Sequence, residues 1–133
     1  MKNTLFCFIL LGLITLIGCH KSHDVDTTDT VAPVLTLTTP TDNVVITNGQ
    51  NVTITGKATD DKNMHEMSIK ITNDANSAVL YQEAPIVHDK TSFDINSTWK
   101  TSITAATNAT LTVSVSDHNS HTTTKTVKFK INL

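Results

Sequence analysis

The sequence predicts an all-β domain, an antiparallel two-sheet sandwich of about seven strands. Three observations carry this expectation. Apolar residues alternate with polar ones at period two along residues 32–133, clusters of Asp, Asn, Ser and Gly separate the alternating stretches, and no stretch carries a helical 3.6-residue pattern. Threonine points the same way. It makes up 23 of the 115 residues from Cys19 onward, and its β-branched side chain suits a solvated sheet face.

The elements follow in order. Val34-Leu35-Thr36-Leu37 forms a first strand that stops near Pro40. Val52, Ile54, Gly56 and Ala58 alternate with Thr53, Thr55 and Lys57, and Met67, Ile69 and Ile71 alternate with Ser68, Lys70 and Thr72. Leu111, Val113 and Val115 face one way, Thr112, Ser114 and Ser116 the other. Val127, Phe129, Ile131 and Leu133 close the series, and 44–46, 79–82 and 92–95 are shorter strand candidates. Turns are expected at Thr41-Asp42-Asn43, Asn48-Gly49, Asp60-Asp61-Lys62-Asn63, Asn73-Asp74-Ala75-Asn76 and Asp117-His118-Asn119-Ser120. Trp99, Phe93, Phe129 and Tyr81 are expected to fill the space between the sheets. The last strand, 122–133, is long enough that edge exposure would be a hazard, and Lys125, Lys128 and Lys130 resemble charges that discourage edge-to-edge pairing.

Ahead of this domain lie two other segments. Residues 1–18 read as a signal peptide: Lys2 supplies a positive charge, and the apolar run Leu5–Ile17 is too short to span a membrane as a helix. The run ends in Leu16-Ile17-Gly18-Cys19, which looks like a lipobox. Small Gly18 opens the bond to a peptidase, and the Cys19 thiol is the nucleophile that takes diacylglycerol. Leu16 fits an ordinary cleavage site poorly, because that site needs a small residue there. Residues 19–31 are polar and acidic, and read as a flexible tether between the lipid and the domain at 32–133. The expected location is therefore the cell envelope, anchored by lipid and most consistent with the outer membrane.

Composition excludes several function classes. The chain has 10 lysines and no arginine against 12 acids, so the basic surface that nucleic-acid binding needs is missing. Its two cysteines are Cys7 and Cys19, which leaves the domain without a disulfide, a thiol nucleophile or a thiolate ligand. Gly49 and Gly56 are the only glycines after residue 18, too few for a phosphate-cradling loop. No nucleophile elbow or paired-carboxylate cleft is recognisable, and no enzymatic activity is expected.

Several stretches resemble bacterial immunoglobulin-like repeats. Pro33-Val34-Leu35-Thr36-Leu37-Thr38-Thr39-Pro40 is similar to their opening strand, and Val52-Thr53-Ile54-Thr55-Gly56-Lys57-Ala58-Thr59-Asp60-Asp61 to their second strand and acidic turn. Leu111-Thr112-Val113-Ser114-Val115-Ser116-Asp117-His118-Asn119 is similar to the penultimate strand and its Asp-x-x-Asn turn. The resemblance covers nearly all of 32–133 and departs at His118 and Ser120, where many such turns carry Gly-Asn. It extends to small Ig-like lipoproteins of Bacteroidetes-type bacteria, and it implies an Ig-like sandwich and an envelope location.

The candidate site lies in the turns. An Ig-like order brings the second-to-third and sixth-to-seventh strand turns to one end, and with them His65, His118, His121, Asp60, Asp61 and Asp117. Imidazoles with carboxylates suit zinc or copper(II), while Asp60, Asp61, Asp117 and Asn119 together suit calcium. The plainer alternative is that the acids cap turns and the histidines are solvated loop residues. On the tether, Thr27 and Thr30 sit in Asp-Thr-x tripeptides that resemble O-glycosylation acceptors. The expected role is a non-catalytic, membrane-anchored module that binds a protein or glycan at the envelope. The alternative is an envelope protein that binds zinc, copper or calcium through those loops.

Overall fold

The computed structural model describes residues 28–133. The expected signal peptide, the lipidated Cys19, and Thr27 lie outside the described residues. Seven strands follow in order: β1 (Val34–Thr39), β2 (Val45–Thr47), β3 (Asn51–Asn73), β4 (Val79–Glu83), β5 (Lys90–Lys100), β6 (Thr107–Asp117) and β7 (Thr122–Asn132). The all-β class and the two-layer sandwich expected from the alternation are what the chain forms.

The strand β3 organises the molecule. It is 23 residues long and pairs with four others, two along each half. Its first half pairs antiparallel with β1 and β5, through Gly56 opposite both Leu37 and Ile95. Its second half pairs antiparallel with β4 and β6, through Ile69 opposite both Glu83 and Val113. One layer is therefore β1-β3-β5, and the other is β4-β3-β6-β7-β2. The sequence predicts two strands separated by a turn at Asp60–Asn63. The chain instead passes between layers as one bent strand, and Lys62 N–H still donates to Asp60 Oδ1 at 3.0 Å as an Asx turn would.

The last strand is covered along much of its length. It pairs with β6 from Thr122 to Ile131, and β2 pairs parallel to its end through Val45 opposite Lys130. The β1–β2 connection covers more of it, with Lys128 N–H donating to Asp42 Oδ1 at 3.0 Å. The exposed rim is thus confined to the start of β7, where Lys125 lies, and Lys128 and Lys130 guard a stretch that is already paired.

The core is aliphatic. Ile54, Ile69, Ile71, Leu111, Val113 and Ile131 are fully buried between the layers, with Phe129 among them. Trp99, Phe93 and Tyr81 are only partly buried and pack against this core from its margin. The physical reason is register. These three lie on β4 and β5, each of which pairs only with β3 among the described residues, so their inward-facing rings cover the open flank. There Tyr81 and Trp99 stack with centroids 6.2 Å apart.

At this flank the Tyr81 hydroxyl donates to Glu83 Oε2 at 2.6 Å. Burial, and after it the hydrogen bond and charge of Glu83, push the phenol up to about 12 from its ordinary 10.0. The raised value means that folding favours the protonated phenol. That stabilisation is complete below pH 10.0 and disappears as the pH rises toward about 12. Tyr81 is the only tyrosine, so phenolate absorbance reports on it alone. The titration midpoint is expected near 12, and Glu83→Gln should bring it down toward the ordinary value. A midpoint unmoved in that variant would show that burial alone holds the proton.

Candidate functional site

One end of the sandwich gathers four separate pieces of chain: residues 28–33, the β3 bend, the β4–β5 connection and the β6–β7 turn. Two inward-facing series end there. The buried positions Thr107, Ala109, Leu111, Val113 and Val115 of β6 continue in register to Asp117. Val52, Ile54 and Ala58 of β3 continue to Asp60. Alternation therefore places one carboxylate from each layer at the same end of the core.

Asp117 is 1% exposed and fully engaged. Its Oδ1 accepts the backbone N–H groups of Asn119 at 2.7 Å and His121 at 2.9 Å, and its Oδ2 lies 2.7 Å from His121 Nδ1. These contacts shape the β6–β7 turn, in which Ser120 takes a left-handed φ of 69°, a conformation glycine adopts without cost. The turn in turn holds the entering chain, because Asn119 Nδ2 donates to the Asp29 carbonyl at 2.7 Å. Asp29, within the segment expected as a tether, is itself buried.

Asp60 is less comfortable. Its Oδ2 is buried without a hydrogen-bond partner among the described residues. Burial pushes its carboxyl above the ordinary range, and the charges of Asp29, Asp61 and Asp117 add to that push, while the Lys62 N–H opposes it. Asp61 is exposed. Thr30, the second expected glycosylation position, is exposed as well.

The histidines divide into two groups. His121 goes with Asp117 and Asp29, which offer ligand atoms within 4.8 Å of one another. His65 and His118 form a second group, whose third member is His88. The ring centroids are 4.7 Å apart for His65–His118, 4.8 Å for His88–His118 and 5.3 Å for His65–His88. One ring nitrogen from each lies within 4.8 Å of the others. Of the six residues expected to share a site, His121 and Asp117 fall in one group and His65 and His118 in the other, while Asp60 and Asp61 belong to neither. His88 is a member that sequence reasoning did not place there, because the β4–β5 connection carries no periodic signal.

Local structure explains the meeting. The β3–β6 register runs from Met64 opposite Asp117 to Glu66 opposite Ser116, so His65 is the extra residue of a β-bulge and has no partner across the ladder. Bulges re-aim side chains, and this one brings His65 against His118. His88 is delivered by its neighbours: Val87 is 1% exposed, and Asp89 N–H donates to the Met64 carbonyl at 3.0 Å. Asp89 then bridges two rings, through Oδ2 to His88 Nδ1 at 3.1 Å and Oδ1 to His118 Nε2 at 3.2 Å. Slight desolvation pushes the Asp89 carboxyl up, but the charges and hydrogen bonds of the two imidazoles outweigh it and hold it below the ordinary range.

Comparison with known proteins bears on the fold. The fibronectin(III)-like modules of Clostridium thermocellum CbhA align over 74% of this chain and 96% of theirs, with 8% identity and a TM-score of 0.48. Murine CRIg aligns over 75% of this chain and 96% of its own, with 11% identity and a TM-score of 0.39. No curated protein sequence matches the chain. The sequence profile described as "Bacterial Ig domain" matches residues 33–113, from the proline before β1 to the middle of β6. This chain belongs to the bacterial Ig domain family.

Proposed function

We propose that the protein is a non-catalytic module of the cell envelope, held on the outer membrane by a lipid on Cys19, that works by presenting its loop end to a partner. The observation that carries this reading is the locked loop end. Four segments distant in sequence meet there, and Asp117, Asn119 and Asp89 tie them together through bonds to backbone N–H or carbonyl groups. Functional surfaces are commonly loops positioned by a rigid scaffold. The exposed chemistry at this end is imidazole, amide and carboxylate, which suits a polar protein surface. A glycan partner is less well served, because Tyr81 and Trp99 are stacked on each other at the flank rather than presented as an open platform.

In-cell photo-crosslinking tests this reading. A photoreactive residue at exposed Ser120, in the β6–β7 turn, should give a discrete adduct that the same residue at exposed Ser102, in the β5–β6 connection, does not. Cys19→Ala should move the protein from the membrane fraction to the soluble one and abolish the adduct. Equal crosslinking from both positions would overturn the loop end as the working surface. A Cys19→Ala protein that stays in the membrane fraction would overturn the anchor.

A further inference from the structure

Three of the four histidines in residues 32–133 share one small volume, although they come from three separate parts of the chain. Each follows a side chain that is almost wholly buried: Met64 precedes His65, Val87 precedes His88 and Asp117 precedes His118, at 0%, 1% and 1% exposure. The core therefore fixes the backbone immediately before each ring, the pre-organisation that a ligand site requires. We propose that His65, His88 and His118 bind one late transition-metal dication, zinc or copper(II), with a further coordination position open to solvent or an external donor. The proposal stands whether or not the loop end has a protein partner.

The donor set selects the ion. Three imidazole nitrogens suit zinc and copper(II), whereas calcium and magnesium require a shell of oxygens. Zinc–nitrogen bonds of about 2.0–2.1 Å put the ligand atoms of a tetrahedral site about 3.3 Å apart. The nitrogens here lie within 4.8 Å of one another, so closing on an ion takes side-chain movements on the order of 1 Å at each ring. An ion has a way in, since the His88 side chain is 35% exposed. Three protein ligands leave a tetrahedral ion incomplete, as in zinc sites that bind an external molecule.

Asp89 completes the design. Ligating histidines usually bond a carboxylate or carbonyl that fixes ring orientation and strengthens the donor, and Asp89 serves two of these three rings at once. It is a positioning residue held by its own backbone, with a left-handed φ of 62° and its N–H on Met64. The neighbouring Asp29–Asp117–His121 group differs in this respect. Asp117 already accepts three hydrogen bonds there, and those bonds build the turn.

The test is calorimetric titration of the full-length chain with Zn²⁺ and Cu²⁺, in a His20→Ala/His23→Ala background that removes the two histidines ahead of the domain. Ca²⁺ and Mg²⁺ serve as hard-cation comparators. One equivalent should bind, and a hundredfold excess over Kd should raise Tm by about 10 °C. His65→Ala, His88→Ala and His118→Ala should each weaken binding at least tenfold, Asp89→Ala by about tenfold or more, and His121→Ala by less than twofold. Copper(II) bound to the parent should show nitrogen hyperfine structure in its electron paramagnetic resonance spectrum. His88→Ala changes a ring more exposed than that of His118, 35% against 18%, and its metal-free melting temperature should match the parent, so that lost binding is not lost folding. Parental affinity in His88→Ala, an equal loss in His121→Ala, an equal response to Ca²⁺, or no saturable binding would each overturn the site.

Discussion

Gly56→Ala is expected to destabilise the domain by about 3 kcal/mol and to lower Tm by about 15 °C in a circular dichroism melt. A Cβ at Gly56 would lie 2.2 Å from the Thr36 carbonyl oxygen, 3.1 Å from Leu37 Cα and 3.2 Å from Leu37 Cδ2. The first two are backbone atoms of β1, so no side-chain rotation relieves the clash. The strand β1 must move away by about 1 Å, and its ladder with β3, in which Leu37 sits opposite Gly56, cannot follow intact. Leu35, 3% exposed, then loses contacts worth about 1.5–3 kcal/mol. Gly49→Ala is the comparison. Nothing lies within 4 Å of a Cβ there, and the residue has a φ of +86°. Only backbone strain of about 1 kcal/mol is at stake. A Gly56→Ala protein as stable as Gly49→Ala would mean that β1 yields freely.

Asp117→Ala should cost about 3 kcal/mol for a different reason. Three donors converge on this buried carboxylate: two turn N–H groups and the His121 ring. A hydrogen bond to a charged group contributes about 1.5–3 kcal/mol and a neutral one about 1 kcal/mol, and stranded donors cost more where water cannot reach them. Partial exposure of the turn lets water recover some of that loss. Asp117→Asn keeps an oxygen for the two N–H groups and should lose about half as much. The order Ala, then Asn, then wild type in denaturant midpoints checks the assignment. An alanine variant within about 0.5 kcal/mol of wild type would sink it. Because His118 follows Asp117 directly, the alanine variant should also lose the metal response.

Much of this fold was legible from alternation. The sets Val52–Ala58, Met67–Ile71, Leu111–Val115 and Val127–Ile131 mark the inward faces as they occur. Asp60 and Asp117 continue two of those series, so their burial was readable by extending the count by one step of two. Phe129 fills the core as expected, but Trp99, Phe93 and Tyr81 lie at its margin, because ring size says nothing about which strand lies at a flank. The bend in β3 stayed hidden because Asp-Asp-Lys-Asn looks the same as a turn and as a strand that changes layers. His65 lies against His118, but the bulge that turns its ring there leaves no signature in the sequence. His88 required the course of an irregular connection, and Asp29 required knowing where the entering chain comes to rest.

The continuity of β3 has a consequence for how the domain comes apart. One segment supplies an inner strand of both layers and pairs with four of the six other strands. Neither layer can open as a separate cooperative unit, because releasing β3 from one layer frees its backbone in the other. Amide protons at Ile54 and Ile69, on opposite halves of that strand, should therefore exchange with the same opening free energy, that of global unfolding. A disturbance at the His65 bulge, which lies between them on the same strand, would therefore be felt in both layers.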